Sequence, residues 1–341
     1  MRVAVIGTGL QAERRAPVLT SSRSDSLVFV ASGQDGRARA FALKHGCEHW
    51  GSWRDAVARE DVDAVVVCTT PETHAEITIA ALRAGKHVLC EKPLSRTLAE
   101  GEAMLAAAAA SGRVLKCGFN HRHHPALTQA KALIDAGELG RLIIGRCRYG
   151  ICGRPDYKDE WRADASKAAG GQLMELGIHA IDLFRWFFGE MDEVACMTAA
   201  QFFPIAPLED NGMAMLRARS GAMCSLHSSL TQWKNLFSLE IIGEDGYLSV
   251  EGLGASYGTQ CLAVGKRDYE APFQHTLTEY RGGDRSWQRE WEEFASAVAE
   301  GRTPTGSGAD GLEALRIALA AYAAAEQKRT LPIHPGGDRS H

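Results

Sequence analysis

The run RVAVIGTGLQA at residues 2–12 sets Gly7 and Gly9 between a short apolar stretch and the start of a helical one. Gly7 permits a tight turn, Gly9 lets backbone approach a pyrophosphate, and the small Ala12 allows close helix–strand packing. A helix opened this way offers unpaired N–H groups and partial positive charge to phosphate. Gly7, Thr8, Gly9, Leu10 and Ala12 are therefore expected to hold a dinucleotide. Alone, two such glycines are a weak signal, and the surroundings strengthen it. Apolar runs at 2–6, 27–31, 64–68, 87–90 and 114–119 alternate with helical stretches at 12–19, 37–45, 53–59, 73–84 and 97–110. Strand–helix alternation with short connections predicts right-handed crossovers and a doubly wound parallel sheet covered on both faces.

Beyond Asn120 the texture changes. A helix over 125–136 is followed by a strand over 141–149, a polar loop over 151–171 and a very apolar helix over 172–188. Alternating runs at 193–200, 212–219, 223–229, 237–243 and 246–251, joined by glycine turns, predict a mostly antiparallel sheet. Helices over 287–300 and 312–328 close the chain. The fold class expected is an α/β N-terminal Rossmann domain plus an α+β C-terminal domain with an open, mostly antiparallel sheet. The boundaries read as 1–120 for dinucleotide binding, 121–335 for substrate binding and oligomerisation, and 336–341 as a frayed tail. A length of 341 residues suits two domains.

The formal charge of −4 argues against a nucleic-acid partner, which would need a concentrated basic surface. Nine scattered cysteines, an odd number with no CxxC pair, read as buried free thiols in a reducing compartment. The first residues lack the pattern of a signal peptide, and no apolar stretch has spanning length. The expected location is cytoplasmic, with no membrane partner.

The end of the second strand bears on which dinucleotide is held. A carboxylate normally holds the ribose 2′-hydroxyl there in NAD binders. Here the segment reads Ala31-Ser32-Gly33, with Arg37 beyond. Ser32 and Arg37 suit a 2′-phosphate, which favours NADP, while Asp35 keeps NAD open as the alternative. Lys92, in Glu91-Lys92-Pro93, follows the fourth of these apolar runs, where ligands of parallel sheets bind. Its ammonium can hydrogen-bond a reacting oxygen and favour developing alkoxide character. In the apolar helix, Glu175, His179 and Asp182 fall at i, i+4 and i+7, on one expected face. A histidine one turn from a carboxylate is suited to accept a proton. A structural polar network is the plainer alternative, and no metal site is expected. Tyr149, Arg154, Tyr157, Trp161 and Arg162 precede this helix and can stack on or hydrogen-bond a sugar. Thr231 to Asn235 can reach the same region, whereas His121, His123 and His124 read as a solvated turn.

With these motifs together, the chain resembles the glucose–fructose oxidoreductase / inositol dehydrogenase / rhizopine-catabolism family (Gfo/Idh/MocA). The likeness runs from the Gly-rich turn through Thr70-Pro71-Glu72-Thr73-His74 and Glu91-Lys92-Pro93 to Gly170-Gly171 and the Glu175 and His179 pair. It implies Lys92 and His179 as the catalytic pair, assisted by Glu175. It places Thr69, Thr70, Pro71, His74, Glu91 and Asn120 by the cofactor, and Arg122, Tyr149, Tyr157, Trp161, Arg162 and Asp182 by the substrate. The activity implied is hydride transfer between a nicotinamide and a secondary alcohol or ketone of a sugar, aminosugar, nucleotide sugar or cyclitol. A homodimer or homotetramer formed through the C-terminal sheet is also implied. A cofactor-binding sensor without turnover, or a redox-neutral enzyme with transient oxidation, are the alternatives. Two departures stand out: Glu175 replaces the usual aspartate four residues before the histidine, and Gln172 replaces a small residue after the two glycines.

Overall fold

The computed structural model describes residues 1–269 and 274–334, so the tail expected at 336–341 lies outside the described residues. The chain divides into two compact units, the first made of Met1–His123, Ser166–Ala169 and Arg285–Leu315. Its sheet has six strands: β1 (Arg2–Ile6), β2 (Ser26–Ala31), β3 (Glu48–Trp50), β4 (Ala64–Val67), β5 (His87–Cys90) and β6 (Leu115–Cys117). Their order is β3-β2-β1-β4-β5-β6, with every neighbouring pair parallel. Val3 to Ile6 and Ala64 to Val67 are buried without alternation, as strands covered on both faces must be. The connecting helices are α1 (Leu10–Ser21), α2 (Asp35–His45), α3 (Trp53–Ala58), α4 (His74–Arg83) and α5 (Leu98–Ser111). α5 starts where its sequence dictates. The Thr97 hydroxyl accepts from the Glu100 N–H at 3.2 Å, and the Glu100 carboxylate accepts from the Thr97 N–H at 3.0 Å. β3 has no counterpart among the predicted runs, because a three-residue edge strand carries too little pattern to read.

The second unit holds His124–Ala165, Gly170–Asp284 and Arg316 onward. It contains α6 (Pro125–Asp135), α7 (Ile178–Phe188) and the strands β7 (Leu142–Cys152), β8 (Met191–Ala199), β9 (Asn211–Ala218), β10 (Met223–Ser229), β11 (Thr231–Gly243), β12 (Gly246–Glu251), β13 (Gln260–Lys266), β14 (His275–Tyr280) and β15 (Leu331–Pro332). They form one sheet in the order β14-β13-β12-β11-β7-β10-β9-β8-β15. Only β7 and β10 pair in parallel; the other pairs are antiparallel. β13 and β14 escape the sequence reading, and β14 is exposed at nearly every residue, so it shows no apolar period. β11 begins at Thr231, which draws the segment from Thr231 to Asn235 into the sheet instead of a connecting loop.

The helix predicted over 172–188 is not uniform. Leu173–Gly177 is a π turn, and α-helical geometry starts only at Ile178. An i, i+4, i+7 face assumes 3.6 residues per turn, so the π turn rotates Glu175 relative to α7.

Two helices lie toward the C-terminus, α8 (Ser286–Glu300) and α9 (Gly308–Gln327). The sequence reading places residues 285–315 in the second domain, yet they pack into the first unit. Trp291 and Phe294 of α8 join the core formed by Val3, Val5, Ala16, Leu19 and Val66. The Trp291 indole N–H donates to Asp25 at 2.9 Å. No helix among the described residues is long and apolar enough to cross a membrane.

Candidate active site

In a parallel sheet all strand C-termini share one edge, and the reversal of strand order between β1 and β4 opens a ligand crevice there. The segments the sequence singles out for cofactor binding each follow one of these ends. Gly7 to Ala12 follow β1, Ser32 and Arg37 follow β2, Thr69 to His74 follow β4, Glu91 and Lys92 follow β5, and Asn120 follows β6.

Gly7 has φ +105°, and a Cβ there would lie 2.6 Å from the Cys68 carbonyl oxygen, so only glycine serves. A Cβ on Gly9 would meet nothing within 4 Å, and Gly9 caps α1 with no side-chain hydrogen bond. The N-terminus of α1 thus carries N–H groups with no side-chain cap beside a glycine with open space around it, which fits the phosphates of a dinucleotide. Ala12 is fully buried against the sheet, while Leu10 lies exposed at the helix start. The Arg37 guanidinium donates to the Thr8 carbonyl at 3.1 Å, and the Thr8 and Ser32 hydroxyls lie 3.4 Å apart. Ser32 and Arg37 therefore stand beside the Gly-rich turn.

After β4, Thr70 precedes a short turn at Pro71–Thr73, whose Thr73 hydroxyl lies 2.7 Å from Thr69 Oγ1 and donates to the Thr70 carbonyl at 3.0 Å. His74 then opens α4, buried, with Nδ1 2.9 Å from the Pro93 carbonyl oxygen and Nε2 3.1 Å from that of Thr69. After β5, Glu91 accepts from Arg15 Nε at 2.7 Å, and a second Arg15 nitrogen lies 2.9 Å from Glu290. Lys92 is buried, and the Lys92–Pro93 peptide is cis. Asn120 is also committed within the unit: its amide nitrogen donates to Ser286 Oγ at 2.9 Å, and its oxygen lies 3.1 Å from His121 Nδ1. Arg122, expected at the substrate, is buried and ion-paired with Asp310 at 3.2 Å. His121, His123 and His124 are buried, which corrects the solvated turn expected of them.

In the second unit, His179 is buried on α7, and the Tyr149 ring meets it edge-on at 6.2 Å between centroids. Asp182 is fully buried on the same helix. Glu175, on the π turn, keeps 18% of its side chain exposed and accepts from Arg162 Nε at 2.9 Å. Arg162 also stacks on Trp161 at 4.5 Å and lies 3.3 Å from Glu160. Burial works against the Arg162 charge, but Glu175 outweighs it and raises the guanidinium above its ordinary value. Arg162, Trp161 and Glu175 thus form one cluster. Tyr157 lies within electrostatic reach of this cluster, its hydroxyl accepting from Gln172 Nε2 at 2.8 Å, and burial together with the Glu175 charge raises its phenol. Arg154 is exposed and pairs with Glu160.

Two positioning residues went unread in the sequence. Glu209 holds the turn that leads into the π segment: its carboxylate accepts from the N–H of Gly171 at 3.1 Å, from that of Leu173 at 2.9 Å and from the Tyr322 hydroxyl at 2.7 Å. Arg15 holds Glu91. It interrupts the buried stripe Ala12, Arg15, Ala16 and Leu19 of α1, and a charge in an apolar stripe is a signal that could have found it. All nine cysteines are free, and six of them are buried.

Two family models match the chain: "Oxidoreductase family, NAD-binding Rossmann fold" over residues 1–119 and "GFO/IDH/MocA C-terminal domain" over 127–249. The 1,5-anhydro-D-fructose reductase of Ensifer adhaerens is 30% identical over 314 residues, 91% of this chain and 92% of that protein. The myo-inositol 2-dehydrogenase of Thermotoga maritima is 27% identical, covering 98% of each chain. Among solved structures, levoglucosan dehydrogenase in complex with NADH and L-sorbose superposes with a TM-score of 0.88 at 26% identity, covering 98% of this chain and 99% of that one. The two matched models, together with the 30% identity to the Ensifer adhaerens reductase over most of both chains, place this chain in the Gfo/Idh/MocA oxidoreductase family.

Proposed function

We propose that this protein is an NADP-preferring oxidoreductase that interconverts a secondary alcohol and a ketone on a sugar, aminosugar, nucleotide sugar or cyclitol. The observation that carries the reading is the edge of the first sheet. Five strand ends bring the Gly-rich turn, Ser32, the Thr69 to His74 segment, Lys92 and Asn120 to one side. The relatives named above, a sugar reductase and a cyclitol dehydrogenase, support the substrate class. The Arg37 guanidinium beside Thr8 and Ser32 supports NADP, since it offers charge-assisted hydrogen bonds to a 2′-phosphate. We assign the activity to the cytoplasm, where nine free thiols stay reduced.

Hydride exchange is the chemistry a bound nicotinamide supplies; the protein's part is to manage the proton and the oxygen. In the oxidative direction His179 takes the hydroxyl proton as the carbon loses hydride, leaving a carbonyl. Lys92 donates a hydrogen bond to the same oxygen and stabilises its developing charge. Reduction reverses both steps. Tyr149 limits the tilt of the His179 ring, and Arg162 with Glu175 presents polar groups to sugar hydroxyls.

A panel of sugars, cyclitols, aminosugars and nucleotide sugars, offered with NAD and NADP and followed by reduced-nicotinamide absorbance, tests this. Turnover is expected with NADP preferred. Lys92→Ala and His179→Ala should each lower kcat by about 10²–10⁴ while cofactor affinity changes little. Near-normal turnover in either variant removes that residue from the mechanism, and a clear NAD preference refutes the Ser32 and Arg37 assignment.

A further inference from the structure

His74 has both ring nitrogens within hydrogen-bonding distance of carbonyl oxygens, Nδ1 of Pro93 at 2.9 Å and Nε2 of Thr69 at 3.1 Å. Carbonyl oxygens only accept. A neutral imidazole has one N–H and one lone pair, so it can satisfy one of these oxygens and must turn its lone pair on the other. The ring is 1% exposed, so no bulk water relieves that clash. An imidazolium, with two N–H donors, satisfies both. We infer that His74 is a positioning residue, protonated at neutral pH, that ties the turn after β4 to the turn after β5 and thereby fixes Lys92.

The topology gives the tie its purpose. Thr69 lies just past β4 and Pro93 just past β5, and the two strands are parallel neighbours. Their C-terminal turns are joined by no sheet hydrogen bond beyond Val67 and Cys90, apart from Glu91 N–H to the Val67 carbonyl at 3.0 Å. On the other flank Arg15 grips the Glu91 carboxylate. Lys92 thus sits between two neighbours, each held by a buried cationic donor from a different helix. Burial opposes charge on His74, but the neighbouring Cys90 sulfur and the two carbonyl acceptors outweigh it and push the group up to about 9. Cys90, on β5, is the titratable side chain beside the ring. Both ring nitrogens of His74 are thus engaged by backbone.

The kinetic half of this inference rests on Lys92 being catalytic; the protonation half does not. Protein carrying nitrogen-15-labelled histidine, without cofactor, is examined by long-range proton–nitrogen correlation at about pH 8, where an ordinary histidine is neutral. One imidazole should show both nitrogens protonated, and its signals should vanish in His74→Gln. A spectrum in which every histidine is neutral at that pH overturns the inference, and this measurement needs no folded variant. In parallel, His74→Gln should lower kcat by roughly 10–100-fold through displacement of Lys92, while the dissociation constant for reduced nicotinamide moves less than about threefold. A kcat within about threefold of wild type overturns the positioning role. If Lys92→Ala keeps its turnover while the imidazolium is seen, the catalytic assignment has failed and the tie stands.

Discussion

Arg15 shows how one residue can be read against its neighbours. It occupies a core position on α1, fully buried, between the carboxylates of Glu91 and Glu290. Burial disfavours its charge, yet the two carboxylates raise its guanidinium above the ordinary arginine value. Glu290, fully buried, is pushed up by burial and held down by Arg15 and Lys116. The cluster is balanced only while each member is present, because breaking a buried pair costs far more than its net worth. Arg15→Met should therefore lower stability by about 3–5 kcal/mol, read from urea unfolding, and Arg15→Met with Glu290→Leu should recover part of the loss. A single variant within about 1 kcal/mol of wild type would show that the cluster is not coupled. The Gly-rich turn and Lys92 could be placed at strand ends from the sequence, because each directly follows an apolar run. Arg15 and His74 were harder to read, since their partners are carbonyls and carboxylates far along the chain.

At the scale of elements, the segment that carries His179 departs most from its sequence reading. An apolar run of this length reads as one α-helix, since periodicity assigns every residue the same turn. The π turn at Leu173–Gly177 reflects contacts outside the run. The Glu209 carboxylate takes the N–H groups of Gly171 and Leu173, and so sets where the segment starts. Burial raises Glu209, while Tyr322 and the backbone N–H groups of Leu173 and Gly171 pull the other way. A Cβ on Gly171 would fall on that carboxylate, so Gly171→Ala must displace it. We expect Gly171→Ala to cost about 1–3 kcal/mol in urea unfolding and to lower kcat through a shifted His179. Unchanged stability together with unchanged kcat would show that this turn does not set the helix. π turns of this kind concentrate at functional sites, where the altered register aims side chains that a regular helix would turn aside.

At the scale of the whole molecule, the nine-stranded sheet leaves one face uncovered within its own unit. β9 buries Ala214, Leu216 and Ala218 on one side and presents Met213 and Met215 on the other, 55% and 62% exposed, with Met197 of β8 beside them at 77%. A cavity of about 1260 Å³ lies along this face, bordered by Met197, Met213, Met215, Arg146 and Glu240. Methionines suit an adaptable contact, and large apolar side chains exposed together on a sheet face favour association. We propose that two copies of the chain meet here. Light scattering after size exclusion should give a dimer or tetramer for wild type and a smaller species for Met213→Lys with Met215→Lys. A wild-type monomer at micromolar concentration would refute it.

By itself the sequence determined the parallel, doubly wound first sheet, the mostly antiparallel second one and the Gly-rich turn. Strand–helix alternation and turn chemistry are properties of near neighbours, and such patterns survive in the linear order. Tertiary structure alone decided the pairings that hold the site: Arg15 with Glu91, 76 residues away, Glu209 with Gly171, 38 away, and His74 with the Pro93 carbonyl. Those pairings leave no periodic trace, because a buried charge is matched by whichever distant group the fold delivers, and desolvation makes the match obligatory.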